Sequence, residues 1–231
     1  MTNYTQWKSL VDLHEYSAIP DVGDLHTHLE ASDISDISEA WEDKQGRNDY
    51  DPINAPSLDD INGEAAVLYD GSEEANAVSE WDETIEQPYT IISVWQFLTI
   101  DDGNINAVYS FGETNGPELT ESDGEFRIWA GANLSADFDA DTEPHISGAV
   151  YDGTESIFDL DGDEVATGDS GDGDDYDITA SDIAEIGRTE DQNRHTNIKV
   201  GAKIVFRNKL DSSERQEWYN YLSDLFNINV D

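Results

Sequence analysis

Cysteine is missing from all 231 residues, so neither a disulfide nor a thiolate metal site is available. The usual indicator of redox compartment is lost with it. Basic side chains are scarce: 11 Lys and Arg stand against 53 Asp and Glu, a net charge of −42. Affinity for nucleic acid rests on neutralising phosphates with Lys and Arg, so neither nucleic acid nor an anionic membrane surface is an expected partner. No stretch approaches the 18 or more apolar residues of a membrane-spanning helix. The opening MTNYTQWKSL holds neither a basic region nor an apolar run of the length a secretory signal needs, so no signal is expected there.

What the chain does have is apolar content. Unstructured acidic chains lack it, but this one is 37% hydrophobic, with 6 Trp, 10 Tyr and 7 Phe. The acids are spread over the whole length, and apolar residues alternate in several segments. A folded protein with this charge repels itself in dilute buffer, and high salt screens that repulsion. The expected setting is concentrated brine, with a haloarchaeon or something that infects one as the source.

The length suits one large all-β domain or two small ones. Trp7, Leu10, Val11 and His14 fall on one face of a short helix, and Pro20 and Gly23 then break the pattern. Residues 1–23 therefore read as an arm, packed on its own domain or docked on another subunit, with residues 24–231 as the domain. From residue 25 onward the pattern is short strands and turns. Tyr89 to Ile100 is apolar on both alternating faces and is expected to be a central strand, with Asp102-Gly103 turning back into Ala107 to Phe111. Asp123-Gly124, Asp152-Gly153 and Asp161-Gly162 mark further turns. Ile198, Val200, Ala202, Ile204 and Phe206 predict a strand with one apolar face. A final helix is capped by Asp211 or Ser212 with Glu214 as the reciprocal partner, and Trp218, Tyr221, Leu222 and Leu225 form its buried stripe. The fold class is all-β: an antiparallel two-sheet jelly-roll sandwich with an N-terminal arm and a C-terminal helix.

Several segments together resemble a known family. Leu25 to Ser32 (LHTHLEAS) is similar to the first strand of concanavalin A-like, laminin-G-type jelly-roll domains of tailed-virus structural proteins. Trp41, Asp43, Gly46 and Asp49 match a Trp-x-Asp-x-x-Gly-x-x-Asp pattern, followed by Pro56, Asn62-Gly63, Asp70-Gly71 and Pro88-Tyr89-Thr90. Asp152-Gly153, Ser156, Asp161-Gly162, Ile186-Gly187-Arg188, Ile204 to Arg207, and Ser212, Glu214, Arg215, Tyr221 and Leu222 continue in the family's order, so the match covers about residues 25–228. Relatives carry an acid in the last strand where this chain has Lys203, and the role of that acid is not transferred. The resemblance implies a non-enzymatic virion surface protein of a halophilic tailed virus, a capsid turret or decoration subunit or a tail or fibre component. It would be made in the host cytoplasm. Its partners would be other virion proteins and a host surface glycan; a trimer or pentamer is expected from the basic residues of the last strand meeting acids on the next copy. The alternatives are a secreted or cell-surface lectin or adhesin domain, and a polysaccharide hydrolase on the same fold.

Trp129 and Arg127 share one strand face opposite Phe126 and Ile128, which suits a glycan platform; the competing role is filling a core or an interface. Asp169, Asp172, Asp174 and Asp175 could hold Ca²⁺, Mg²⁺ or Na⁺ with oxygen ligands, against a merely solvated loop; no cofactor is required. Asp159, Asp161 and Asp163 depart from a calcium loop, and a hairpin turn explains them better. His26 and His28 fall at i and i+2, as ligands or as hydrogen-bonding partners. A retaining hydrolase needs carboxyl groups about 5–5.5 Å apart, and Asp182 with Glu185 has the wrong spacing for one strand face. Lys199, Lys203 and Arg207 form a basic stripe, paired with local acids or meeting an acidic neighbouring subunit together with Trp7, Leu10 and Val11.

Overall fold

A computed structural model describes residues 18–72, 74–78, 81–100, 105–112, 116–171, 177–180, 182–189 and 194–230. The strands in chain order begin with β1 (Leu25–Glu30), β2 (Asp51–Ile53), β3 (Ser57–Ile61), β4 (Glu64–Asp70), β5 (Ala75–Val78) and β6 (Tyr89–Phe97). They continue with β7 (Asn106–Phe111), β8 (Glu118–Ser122), β9 (Glu125–Trp129), β10 (Asn133–Asp139), β11 (His145–Tyr151) and β12 (Ser156–Leu160). The last are β13 (Asp163–Gly168), β14 (Ala184–Ile186), β15 (Arg188–Thr189), β16 (Arg194–His195) and β17 (Asn197–Phe206), before helix α1 (Ser212–Phe226). The first sheet runs β13-β12-β11-β6-β17-β4-β3, with β1 also paired to β17; the second runs β10-β9-β8-β7-β14-β5-β2. Both are antiparallel, so the fold is the two-sheet sandwich expected. Residues 1–17 of the arm lie outside the described residues, as does the Asp102-Gly103 turn.

The Asx-Gly turns form where the sequence places them. Asn62-Gly63, Asp123-Gly124 and Asp161-Gly162 all have positive φ at both residues, the backbone that a tight hairpin requires. One expected hairpin does not exist. β6 lies in the first sheet and β7 in the second, so the chain crosses the sandwich between them. Sequence adjacency alone does not say which sheet receives the returning strand.

Two cores follow from the layering. Tyr89, Ile91, Trp95 and Phe97 face the second sheet, while Ile92 and Val94 face α1, which is why β6 is apolar on both sides. Asp211 caps α1 by accepting from the backbone N–H groups of Ser213 and Glu214, and Glu214 accepts from the N–H of Asp211. The helix is then tied to the sheet by two buried carboxylates. Asp159 accepts from Tyr219 Oη at 2.7 Å and from Arg215 Nε. Glu30 accepts from Tyr221 Oη and from Lys44 Nζ, with His28 Nε2 2.6 Å away. Burial opposes ionisation of Glu30, but these three partners outweigh it and hold its pKa down to about 2.

The strand β17 departs from the expected alternation. Its pairing with β6 steps from Val200–Trp95 to Ala202–Val94, leaving Gly201 as a bulge. Ile198 and Val200 therefore face the inter-sheet core, whereas Ala202, Ile204 and Phe206 face the helix. Only glycine fits at the bulge, because a Cβ there would strike the ring of Phe226. The same slip turns Lys203 inward, where it is 1% exposed.

The Trp41–Asp49 motif is explained by backbone satisfaction. Trp41 Nε1 donates to the carbonyl of Glu30. Asp43 accepts from the N–H groups of His28, Gln45, Arg47 and Asn48, at 2.8 to 3.3 Å. Its role is to knit the loop to β1.

Candidate ligand face

The outer face of the second sheet is built by alternation. Tyr109, Phe111, Leu119, Phe126, Ile128, Ala184 and Ile186 point into the inter-sheet core. Their neighbours Ser110, Glu118, Thr120, Arg127, Trp129 and Glu185 therefore point outward. The strand register sets Glu185, Ser110, Glu118, Trp129 and Asn133 in one transverse row across five strands. Thr120, Arg127 and Ser135 form the next row.

Exposure concentrates on β8, β9 and β10. Ser110 and Glu185 are buried, and Arg188 closes over Glu185 through Nε and Nη2, at 2.8 and 2.5 Å from its Oε1. Glu118, Arg127, Trp129 and Ser135 are partly exposed and Asn133 is exposed. Trp41, Trp81, Trp95 and Trp218 are all buried, so Trp129 is the one indole on a surface among the described residues.

The end of β9 also receives the acidic segment. The N–H groups of Ala130 and Ala132 both donate to the carbonyl of Ser170, at 2.7 and 2.9 Å. Gln87 fixes the loop base: its side chain accepts from Gly153 N–H and donates to the carbonyl of Gly171, and its own N–H donates to Asp177. Asp169 accepts from the N–H of Gly171. Asp172, Asp174 and Asp175 lie outside the described residues. Among the described residues, no group of three His, Cys, Asp or Glu is placed to hold a metal ion.

The other sequence candidates are separated or occupied. Trp7, Leu10 and Val11 lie outside the described residues. The basic stripe does not share a surface. Lys199 is paired with Asp59 at 3.1 Å, and Arg207 with Asp24 and Glu83. Lys203 sits inside the sandwich, with Nζ 3.1 Å from Tyr50 Oη and 4.1, 5.0 and 5.1 Å from the ring centres of Phe111, Tyr50 and Tyr109. Burial drives the Lys203 pKa well below the usual lysine value. The alternation predicted for this strand failed at Gly201, and the stripe failed with it.

The two histidines of β1 are likewise split by a bulge between Leu25 and Thr27. His26 stacks on Trp81, and His28 meets Glu30 and the edge of Trp218. Asp161 belongs to a hairpin turn, as its Gly suggested, and flanks the buried His145 together with Asp141, at 2.6 and 2.9 Å. Burial disfavours the imidazolium, but these two carboxylates raise the His145 pKa above its ordinary value. Asp182 closes a turn by accepting from Thr179 N–H and Oγ1, away from the face that carries Glu185.

No protein-family model and no curated protein matches the chain. Solved structures do share its fold. Trypanosoma rangeli sialidase in complex with sialic acid matches with a TM-score of 0.65 and 13% identity, covering 93% of this chain and 35% of that one. Domain 4 of AbnA, a GH43 extracellular arabinanase from Geobacillus stearothermophilus, in complex with arabinotriose, matches at 0.64 and 12%, covering 83% and 96%. The binding domain of Paraclostridial Mosquitocidal Protein 1 matches at 0.64 and 13%, covering 86% and 52%. The chain thus spans about a third of the sialidase (35%) and nearly all of the arabinanase domain (96%). At these identities the likeness establishes the sandwich fold alone. It also overturns the expectation of a non-enzymatic protein, which rested on a resemblance to virion domains: the fold is one found in glycosidase chains, within about a third of the sialidase (35%) and as domain 4 of the arabinanase.

Proposed function

We propose that the chain is a glycan-binding sandwich domain whose ligand lies on the outer face of β8, β9 and β10. The observation that carries this is Trp129, the indole left on the surface, flanked by Arg127, Glu118, Asn133 and Ser135. An aromatic plane supplies contact area to the apolar face of a sugar, and a few polar groups around it fix orientation. The arabinotriose complex of the AbnA domain, 96% of which this chain covers, supports the same reading. A virion surface is the setting that the sequence resemblance supports, with a cell-surface lectin or adhesin domain as the alternative.

Calorimetric titration with arabinotriose, sialyllactose and extracted cell-surface glycans checks it. Saturable binding is expected with at least one, and Trp129→Ala is expected to weaken it at least about tenfold while leaving the circular dichroism spectrum unchanged. Binding that survives the substitution would move the site elsewhere; no binding by any of these glycans would remove the reading.

A second reading, hydrolysis on the same face, draws on the glycosidases above and on Glu118 and Glu185. These share a row two strand spacings apart, about 10 Å between backbones, and Glu185 is buried beneath Arg188, which would have to move aside. Release of new reducing ends during the titration, lost in Glu118→Gln with binding retained, would assign it.

A further inference from the structure

The basic side chains of this protein are almost all taken. Setting aside Lys8 and Arg194, whose side chains are not among those described, seven of the remaining nine have a carboxylate oxygen within 3.1 Å. The two exceptions are Lys203, enclosed by aromatic rings, and Arg127. Among the described residues, the nearest carboxylate to Arg127 is that of Asp123, 3.8 Å from Nη2 and 91% exposed. Its Nε is sealed from solvent without any acceptor. In a chain with 53 acids, a guanidinium without a close carboxylate does not reflect a shortage of partners. An enclosed N–H with no acceptor is also costly to keep.

Arg127 stands two residues from Trp129 on the same face, with 16% of its side chain exposed. A guanidinium offers a planar fork of donors that matches a carboxylate or an oxyacid ester. Set beside an indole, it gives one plane for a sugar ring and one cation for an acidic substituent on it. We infer that the glycan taken by this face carries a negative charge, as a uronic acid carboxylate or a sulfate ester, and that Arg127 receives that group. The inference rests on the glycan-binding reading above and names its ligand class. It also explains how so acidic a protein holds an acidic sugar: the body repels the ligand through solvent, whereas the fork holds it by contact that salt screens far less.

The test uses the full chain in 1 M NaCl with two matched pairs of probes, trigalacturonate with its methyl ester, and a chondroitin sulfate tetrasaccharide with its desulfated form. The expected result is that one charged probe binds about tenfold or more tighter than its partner. Arg127→Gln should erase that difference while the weaker binding of the uncharged probe persists. Arg127→Lys, which keeps the charge and loses the fork, should recover only part of it. The pair that shows the preference separates carboxylate from sulfate. Equal binding of charged and uncharged probes would overturn the inference and leave the glycan reading standing. A preference that survives in Arg127→Gln would overturn it too, by placing the anion elsewhere. Binding of no probe at all would count against the glycan reading itself.

Discussion

The thermal unfolding midpoint is expected to rise by tens of degrees between 0.1 M and 3 M KCl. With a net charge of −42, the folded state confines far more negative charge than its cations can neutralise. Most of the described cations are already spent on one or two carboxylates each, such as Lys44 on Glu30 and Asp33, Lys209 on Asp152 and Arg215 on Asp159. The remaining carboxylates repel over a Debye length of about 10 Å at 0.1 M, which falls to about 3 Å at 1 M. In a chain of this size a rise of tens of degrees corresponds to on the order of 5–10 kcal/mol, spread over many weak repulsions. Circular dichroism melts at the two salt concentrations decide it, and coincident midpoints would refute the brine argument.

Replacing Lys203 by Met is expected to raise the unfolding free energy by about 1–4 kcal/mol at neutral pH. Among the described residues, the ammonium group has one hydrogen bond, to Tyr50, and no carboxylate partner. Three ring faces attract a cation by roughly 0.5–2 kcal/mol each at best, against an effective desolvation penalty of several kcal/mol. Desolvation wins, and the folded protein holds the amine neutral over a range of pH in which the unfolded chain protonates it. Across that range the unfolded state binds the extra proton, so stability rises with pH. The advantage of Lys203→Met over the parent should therefore shrink as pH climbs from the lowered folded value toward 10.5. Urea unfolding of both proteins at pH 6, 7.5 and 9 measures this. A variant less stable than the parent, with a gap that does not depend on pH, would show that the rings hold the charged form.

Local chemistry was legible in the sequence wherever one residue type settles the backbone. Asn62-Gly63, Asp123-Gly124 and Asp161-Gly162 gave their turns, and Asp211 with Glu214 gave the helix start. The double-sided apolar pattern of β6 correctly required a layer on each face. What stayed hidden depended on a single extra residue. Gly201 offers no mark that distinguishes a bulge from an ordinary strand glycine, yet it reverses every side chain after it and moves Lys203 from surface to core. For the candidate face, the outward direction of Arg127 and Trp129 followed from Phe126 and Ile128 between and beside them. Glu118, Asn133 and Ser135 come from other strands, so only the register brings them alongside. The contact of Ser170 with the end of β9 joins segments about forty residues apart and left no local trace.

The helix gives the molecule a back and a front. α1 covers the outer side of the first sheet, and the chain enters on that side too: the Val22 carbonyl accepts from Trp218 Nε1, and Asp24 meets Arg207. Trp129 looks out from the opposite sheet, two layers away. Whatever holds the protein by its entering segment therefore leaves the indole pointing away from the point of attachment. A row of copies carried this way would display a carpet of identical outward faces, so weak grip by each could add up to firm adhesion through many simultaneous contacts.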